Sequence, residues 1–392
     1  MRTAWILACT TILSPLVFHT LVAASTFDPL PELPIRPRRA IADASPRVLP
    51  PPRERVELAR RTIGVDGLYQ APTSRGRTLA LTLDPALQAD AERLLGDTDP
   101  ALGAVVIMAT DGRLLALAGR SAQGGDRPDL AVDPWAPSAS VFKIVTAAAL
   151  VDAGARPDKP VCVHGGAAGL LPENLVDDRR KDDVCASLAY GVAKSNNAIL
   201  GKLAVKMLRS DVLARYAAAF GYGRPWAYGR PSTAEIPAEP LELARAAAGF
   251  WHTELSPLGG AVLAATIASG GLAVTPYLTE DDRADATRVL GAETARTVAA
   301  MLAGTTEMGT ARTAFHDAVG RAYLRVRVAG KTGTLSRRPV AGLAPLDFSW
   351  FVGFAPADHP TVVVSVLLGT TPRHHTRAAT LARQILEAKF GR

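Results

Sequence analysis

Three cysteines in 392 residues leave little room for a disulfide framework, and asparagine is scarcer than usual, present only as Asn174, Asn196 and Asn197. No Gly-x-Ser-x-Gly elbow occurs, which excludes hydrolases built on that turn. No segment repeats with a period of 20 to 50 residues, so solenoids and propellers are excluded as well. Lysine is also scarce, and the net charge of +7 comes from arginine. Those arginines are scattered and not interleaved with aromatics, which argues for a solvated surface suited to anionic surroundings and against a nucleic-acid partner.

What is present is apolar material. Hydrophobic residues make up 48% of the chain, enough for a large core. Residues 1 to 24 are one Arg followed by an apolar run from Ala4 to Ala24, with Val22-Ala23-Ala24 as a small-residue cleavage site. This pattern predicts an export signal or a retained membrane anchor, placing the protein in the periplasm or on the outer face of the cytoplasmic membrane. From Ser25 to about Glu57 eight prolines fall among Arg and Ala, and residues 25 to 75 read as a stiff tether. Order is expected from Gly76 to the C-terminus.

In residues 76 to 392, Thr78 to Leu83 alternates like a strand and Asp84-Pro85 opens a helix to about Leu95, Asp as cap and Pro at the first position. Gly103 to Ala109 and Arg113 to Gly119 form a hairpin through Asp111-Gly112. A helical block follows, with stretches at 186–207, 211–220, 239–251, 256–269 and 293–303. Tyr323 to Gly330, Phe348 to Phe354 and Thr361 to Leu368 read as further strands, and Arg377 to Lys389 as a closing amphipathic helix. Strands at both ends with helices between predict one sheet assembled from distant parts of the chain.

Ser140 and Lys143 stand three apart at the head of an apolar helix, on one face of its first turn. Ser138 or Ser140 is placed to cap that helix. A lysine sunk in an apolar helix is pushed toward its neutral form, so the pair reads as a nucleophile beside a base. Ser195-Asn196-Asn197 reads either as a helix cap with polar neighbours or as a hydroxyl and an amide aimed into a cleft. Lys331-Thr332-Gly333-Thr334 reads as turn chemistry or as a cationic strand edge. Cys162 and Cys185, with Cys9 in the leader, are expected to pair in an oxidising compartment. A metal held by Cys162, His164 and Cys185 has too few ligands.

Order and spacing decide among these readings. Ser-x-x-Lys at a helix start, Ser-x-Asn some fifty residues later and Lys-Thr-Gly near the end each occur once. The chain from Gly76 onward therefore resembles the transpeptidase domain of penicillin-binding proteins, within the penicillin-recognising serine acyltransferases. Thr82 to Gln88, the hairpin, Ser256-Pro257-Leu258, Gly309-Thr310-Ala311 and Trp350 to Pro356 resemble further landmarks. The family often has Pro-Gly before the nucleophile where this chain has Ser138-Ala139, and Gly259-Gly260 replaces its usual Gln-Met.

The resemblance implies an α/β (α+β) fold, a mostly antiparallel sheet of about five strands flanked by helices with an all-helical lobe. It implies a D,D-transpeptidase that cross-links peptidoglycan stem peptides and is acylated by β-lactams, with no cofactor. Ser140 is then the nucleophile and Lys143 its base. Ser195 relays a proton, Asn197 binds the substrate amide and orients Lys143, and Lys331, Thr332 and Thr334 hold the terminal carboxylate. Gly333 lets the strand edge approach the substrate, and backbone N–H groups of Ser140 and Thr334 form the oxyanion hole. A D,D-carboxypeptidase shares this apparatus. A β-lactamase with a Glu-x-x-Leu-Asn loop is disfavoured because no asparagine follows Asn197, and a non-catalytic scaffold is disfavoured by the intact motifs. Without room before Gly76 for a polymerase, the expected partner is a separate glycan polymerase.

Overall fold

The computed structural model describes residues 56–391 except Ala168, Ala227, Trp251, 337–345 and 372–376. The expected leader at residues 1 to 24 and the tether as far as residue 55 lie outside the described residues. Among the described residues the main sheet has five strands: β1 (Leu102–Ala109), β2 (Leu114–Ser121), β3 (Ala329–Ser336), β4 (Asp347–Ala355) and β5 (Val362–Thr370). Their order is β3-β4-β5-β1-β2, antiparallel throughout. The hairpin read from Asp111-Gly112 is β1 to β2, and the C-terminal strands complete the sheet beside it. This is the mixed architecture the motifs implied.

Alternation along each strand divides the apolar residues between two cores. Val105 and Ile107 of β1 and Val364, Val366 and Leu368 of β5 pack against helix α1 (Pro85–Asp97) and the C-terminal helix. Ala104, Val106 and Met108 face the other way, into the larger core shared with the helical lobe. That lobe contains α2 (Lys143–Asp152), α3 (Leu188–Ala193), α4 (Asn197–Met207), α5 (Ser210–Ala219), α6 (Pro240–Ala248), α7 (Pro257–Ala268) and α8 (Ala292–Glu307), and α9 (Ala378–Phe390) closes the chain. Helix α7 is apolar on nearly every face, and its residues from Pro257 to Ile267 are buried. Its start is fixed by Ser256 Oγ, which accepts from Gly259 N at 2.9 Å. Asp84 caps α1 through Ala86 N and Leu87 N, both 3.0 Å from its Oδ1, a device worth about 1 kcal/mol.

Three expectations are corrected. Ordered structure reaches back before Gly76: Thr62–Ile63, Tyr69–Pro72 and Thr78–Ala80 form a small sheet, and Val56, Tyr69 and Ala71 are buried in the larger core. Residues 56 to 72 therefore belong to the folded body, because these three buried side chains anchor them. Tyr323 to Val328 alternate like a strand yet lie outside β3, which begins at Ala329: beyond Ala355 the ladder meets Pro356, which has no N–H to offer, and a single bond from Ala357 N to Arg327 O at 2.8 Å follows it. Neither Ser138 nor Ser140 caps a helix. Their hydroxyls are used elsewhere, as the cleft shows.

Candidate active site

The segment that carries Ser140 is fixed from several sides before it enters α2. Ala136–Pro137 pairs with Thr253–Leu255, Trp350 Nε1 donates to Pro137 O at 3.0 Å, and Ser138 N donates to Thr253 O at 3.1 Å. The buried Ser138 hydroxyl meets Tyr222 OH at 2.8 Å, and the Tyr222 ring stands edge-on to Phe142 with centroids 5.5 Å apart. Ala139 then turns through a left-handed φ of +47°, and Ala139–Phe142 make one 3-10 turn that runs straight into α2. In a 3-10 turn residues i and i+3 eclipse, which sets Lys143 directly above Ser140.

Two glycines make this turn possible. A Cβ on Gly249 would stand 1.9 Å from Ala139 O, and one on Gly333 would crowd Ala139 Cβ at 3.3 Å and Trp350 Cβ at 3.2 Å. Gly333, on β3, is buried against the turn that carries Ser140. Its missing side chain makes room for the packing under Ser140.

Lys143 is fully buried and makes three contacts: Ser140 Oγ at 2.7 Å, Asn197 Oδ1 at 2.8 Å and Ala248 O at 2.7 Å. The two carbonyl oxygens can only accept, whereas the Ser140 hydroxyl can also donate. A neutral amine fits this set completely, with two N–H donors on the carbonyls and a lone pair toward the Ser140 hydroxyl. Burial pushes Lys143 well below the usual amine range, and the nearby charge of Lys331 pushes it further down. Ala248 O is available because it belongs to the last turn of α6, whose terminal carbonyls have no helical partner. Thr146 Oγ1 takes Ala247 O, one residue earlier, at 2.7 Å.

The Ser195-Asn196-Asn197 stretch falls at a break between α3 and α4, and its residues divide the work between both readings. Asn196 is the cap, accepting from Ile199 N at 2.9 Å. Ser195 holds a left-handed φ of +59°, which turns its hydroxyl to Lys331 Nζ at 3.0 Å. Asn197 presents Oδ1 to Lys143, while its Nδ2 donates to Gly166 O at 3.3 Å and Ala167 O at 3.2 Å. Those carbonyls lie within the segment closed by a disulfide between Cys162 and Cys185, 23 positions apart on paired strands. His164 Nδ1 is 2.7 Å from Asp182 Oδ1 within the same segment.

Among the described residues β3 is the edge of the main sheet, with no strand paired on its outer side. Lys331 is fully buried, donates to Ser195 Oγ and Thr332 O, and is pushed down to about 7 by burial. Thr332 bonds Thr310 through their hydroxyls, and Thr334 is exposed. Ser140, Ser195, Asn197, Thr332 and Thr334 line one cavity of about 450 Å³, with Phe250, Thr310, Ser349, Trp350 and Arg377 among its other walls. The three distant motifs thus share one groove. Ala248 O carries no sequence signal, being a backbone group. Thr310 had one, in Gly309-Thr310-Ala311, and Arg377 had none.

The profile of the penicillin binding protein transpeptidase domain matches residues 102–387. The chain belongs to that family. Among its relatives is the peptidoglycan D,D-transpeptidase PbpA of Mycobacterium tuberculosis, 29% identical over 288 residues covering 67% of this chain and 58% of that protein. PbpA of Mycolicibacterium smegmatis is 30% identical over 300 residues, 69% of this chain and 60% of its own length. The chain thus spans less than two thirds of the curated relatives it matches. The crystal structure of PBPA from M. tuberculosis covers 79% of each chain with a TM-score of 0.62 at 23% identity, which shows the shared fold. The imipenem acyl-enzyme complex of the same penicillin-binding protein aligns at 25% identity, covering 79% of this chain and 78% of that one, with the same TM-score. Penicillin-binding transpeptidase domains therefore share with this chain the sheet and the helical lobe that hold the groove.

Proposed function

We propose that this chain is a serine D,D-transpeptidase that cross-links peptidoglycan stem peptides outside the cytoplasm through an acyl-enzyme at Ser140, and that β-lactams acylate the same residue. The observation that carries the reading is the Lys143 amine, buried, held by two carbonyls and turned toward the Ser140 hydroxyl. A neutral amine there takes the hydroxyl proton as Ser140 Oγ attacks the carbonyl of the penultimate D-Ala. The oxyanion forms between the backbone N–H groups of Ser140 and Thr334, each such donor being worth about two to three powers of ten in rate elsewhere. Collapse of the tetrahedral adduct breaks the C–N bond, and the departing D-Ala amine takes the proton that Lys143 received from Ser140, relayed by the Ser195 hydroxyl, which accepts from Lys331 Nζ at 3.0 Å. An amine of a neighbouring stem then attacks the ester, forming the cross-link and returning the proton to Lys143 and Ser140. Lys331, Thr332 and Thr334 hold the terminal carboxylate of the donor.

The M. tuberculosis and M. smegmatis relatives carry the name of this activity. The reading includes a membrane tether in the N-terminal segment and a glycan polymerase that supplies the strands. Recovery of a polymerase with the full chain from detergent-solubilised membranes supports that partner, and its absence counts against it. The site assignment is tested with a fluorescent penicillin: Ser140→Ala abolishes covalent labelling, and undiminished labelling refutes it.

A further inference from the structure

Among the described residues that line the groove, Arg377 is the one charged side chain, and no aspartate or glutamate stands beside it in the wall. Its place in the fold has an electrostatic cost. Arg377 is the residue before the first turn of α9, where it makes no side-chain cap and its cation opposes the positive end of the helix dipole. Ser, Thr, Asp or Asn at that position would be more stable. No carboxylate among the described residues offsets the charge by an ion pair, Asp347 on the same face of β4 included. A cation kept exposed in a cleft wall at a cost in stability calls for an anionic ligand.

The register of the sheet says which anion. Ser349 lies directly opposite Thr334, and its Oγ accepts from Ala378 N at 3.1 Å, so α9 is pinned over the sheet at the level of Thr334. Thr332, Thr334 and Ser336 alternate onto one side of β3. A donor peptide laid antiparallel along the free edge of β3, its terminal carboxylate at Thr332 and its scissile carbonyl at Thr334, carries the residue before D-Ala-D-Ala toward Ser336. Each residue advances by roughly 3.4 Å. We infer that Arg377 is a specificity-determining residue that binds a free carboxylate on the stem residue preceding the D-Ala-D-Ala unit. The inference rests on the transpeptidase reading and adds the donor's chemistry: a stem peptide whose third residue is acidic.

Two synthetic peptides ending in D-Ala-D-Ala test it, one with a side-chain carboxylate on the preceding residue and the other with the primary amide. D-Ala release is followed as kcat/KM for the wild type, Arg377→Ala and Arg377→Lys. The wild type prefers the acid by about tenfold, the scale of one charge-assisted hydrogen bond at a partly exposed site. Arg377→Ala loses the preference by slowing the acid peptide alone, Arg377→Lys recovers part of it, and benzylpenicillin acylates all three at the same rate. Equal use of both peptides by the wild type overturns the inference, as does a preference that survives Arg377→Ala or a loss common to both peptides and penicillin. Failure of penicillin to acylate the wild type would instead strike the transpeptidase reading.

Discussion

Lys143 and Asn197 are 54 positions apart in the chain and 2.8 Å apart in the fold, amine to amide oxygen. The amide fixes where the amine points, and as a neutral group it leaves the amine free to lose its proton. Asn197→Ala removes one of two obligatory acceptors and should slow penicillin acylation about ten- to a hundredfold. Asn197→Asp places an anion on Lys143 and favours its charged form, so acylation is lost at neutral pH and returns as pH rises. Stopped-flow acylation of both variants across pH checks the contrast.

The two buried lysines set the pH dependence. Acylation needs neutral Lys143, so its rate rises with pH through that lowered pKa. Lys331→Met removes a positive neighbour, Lys143 holds its proton to higher pH, and the rising limb moves up. Stability follows the linkage sign. Lys331 has a pKa of about 7 folded against 10.5 as its ordinary value, so between these the unfolded chain binds more protons. Folding stability therefore rises with pH from about 7 toward 10.5; that contribution is lost progressively as pH falls from 10.5 to 7 and changes no further below 7. Urea midpoints at pH 7 and pH 9 should show the wild type gaining on Lys331→Met at the higher pH.

The disulfide ties a peripheral hairpin to the centre. Cys162→Ala with Cys185→Ala removes a closure of 23 positions, worth about 3 kcal/mol in the chain-entropy model. Because Gly166 O and Ala167 O in the closed segment hold Asn197 Nδ2, acylation should slow as well. Denaturant titration and acylation kinetics measure the two effects separately. An acylation rate equal to that of the wild type breaks the link to Asn197.

Much of this was legible beforehand for physical reasons. Continuous apolar runs mark β1, β4 and β5 because each is buried on both faces of one sheet, and the Asp84-Pro85 helix start is a local signal. The three motifs were legible as residue types in one order along the chain, each occurring once. The left-handed turns at Ala139 and Ser195 were not, because a positive φ away from glycine is imposed by neighbours distant in sequence. Nor were the strands at Thr62–Ile63 and Tyr69–Pro72, whose pairing depends on three buried anchors in a polar stretch. Gly333 shows the same limit: its motif was visible, and its contact with Ala139 was not.

That contact region yields a paired prediction. Gly249→Ala sets a Cβ against Ala139 O at a left-handed φ of +89°, so it should cost several kcal/mol of stability, on the order of other overpacked and strained sites, and displace Ser140. Ala139→Gly suits the left-handed backbone but loosens the unfolded chain, leaving stability within about 1 kcal/mol and acylation intact. Thermal melts beside penicillin labelling distinguish the two.

The central claim is that Ser140 carries an acyl group from a D-Ala-D-Ala donor to an amine. The direct measurement is mass-spectrometric product analysis with a stem-peptide donor and an amine acceptor. The wild type should release D-Ala and form the new amide, and Ser140→Ala should do neither. Amide formation that persists in Ser140→Ala, or a wild type that releases D-Ala only to water at every acceptor concentration, contradicts it.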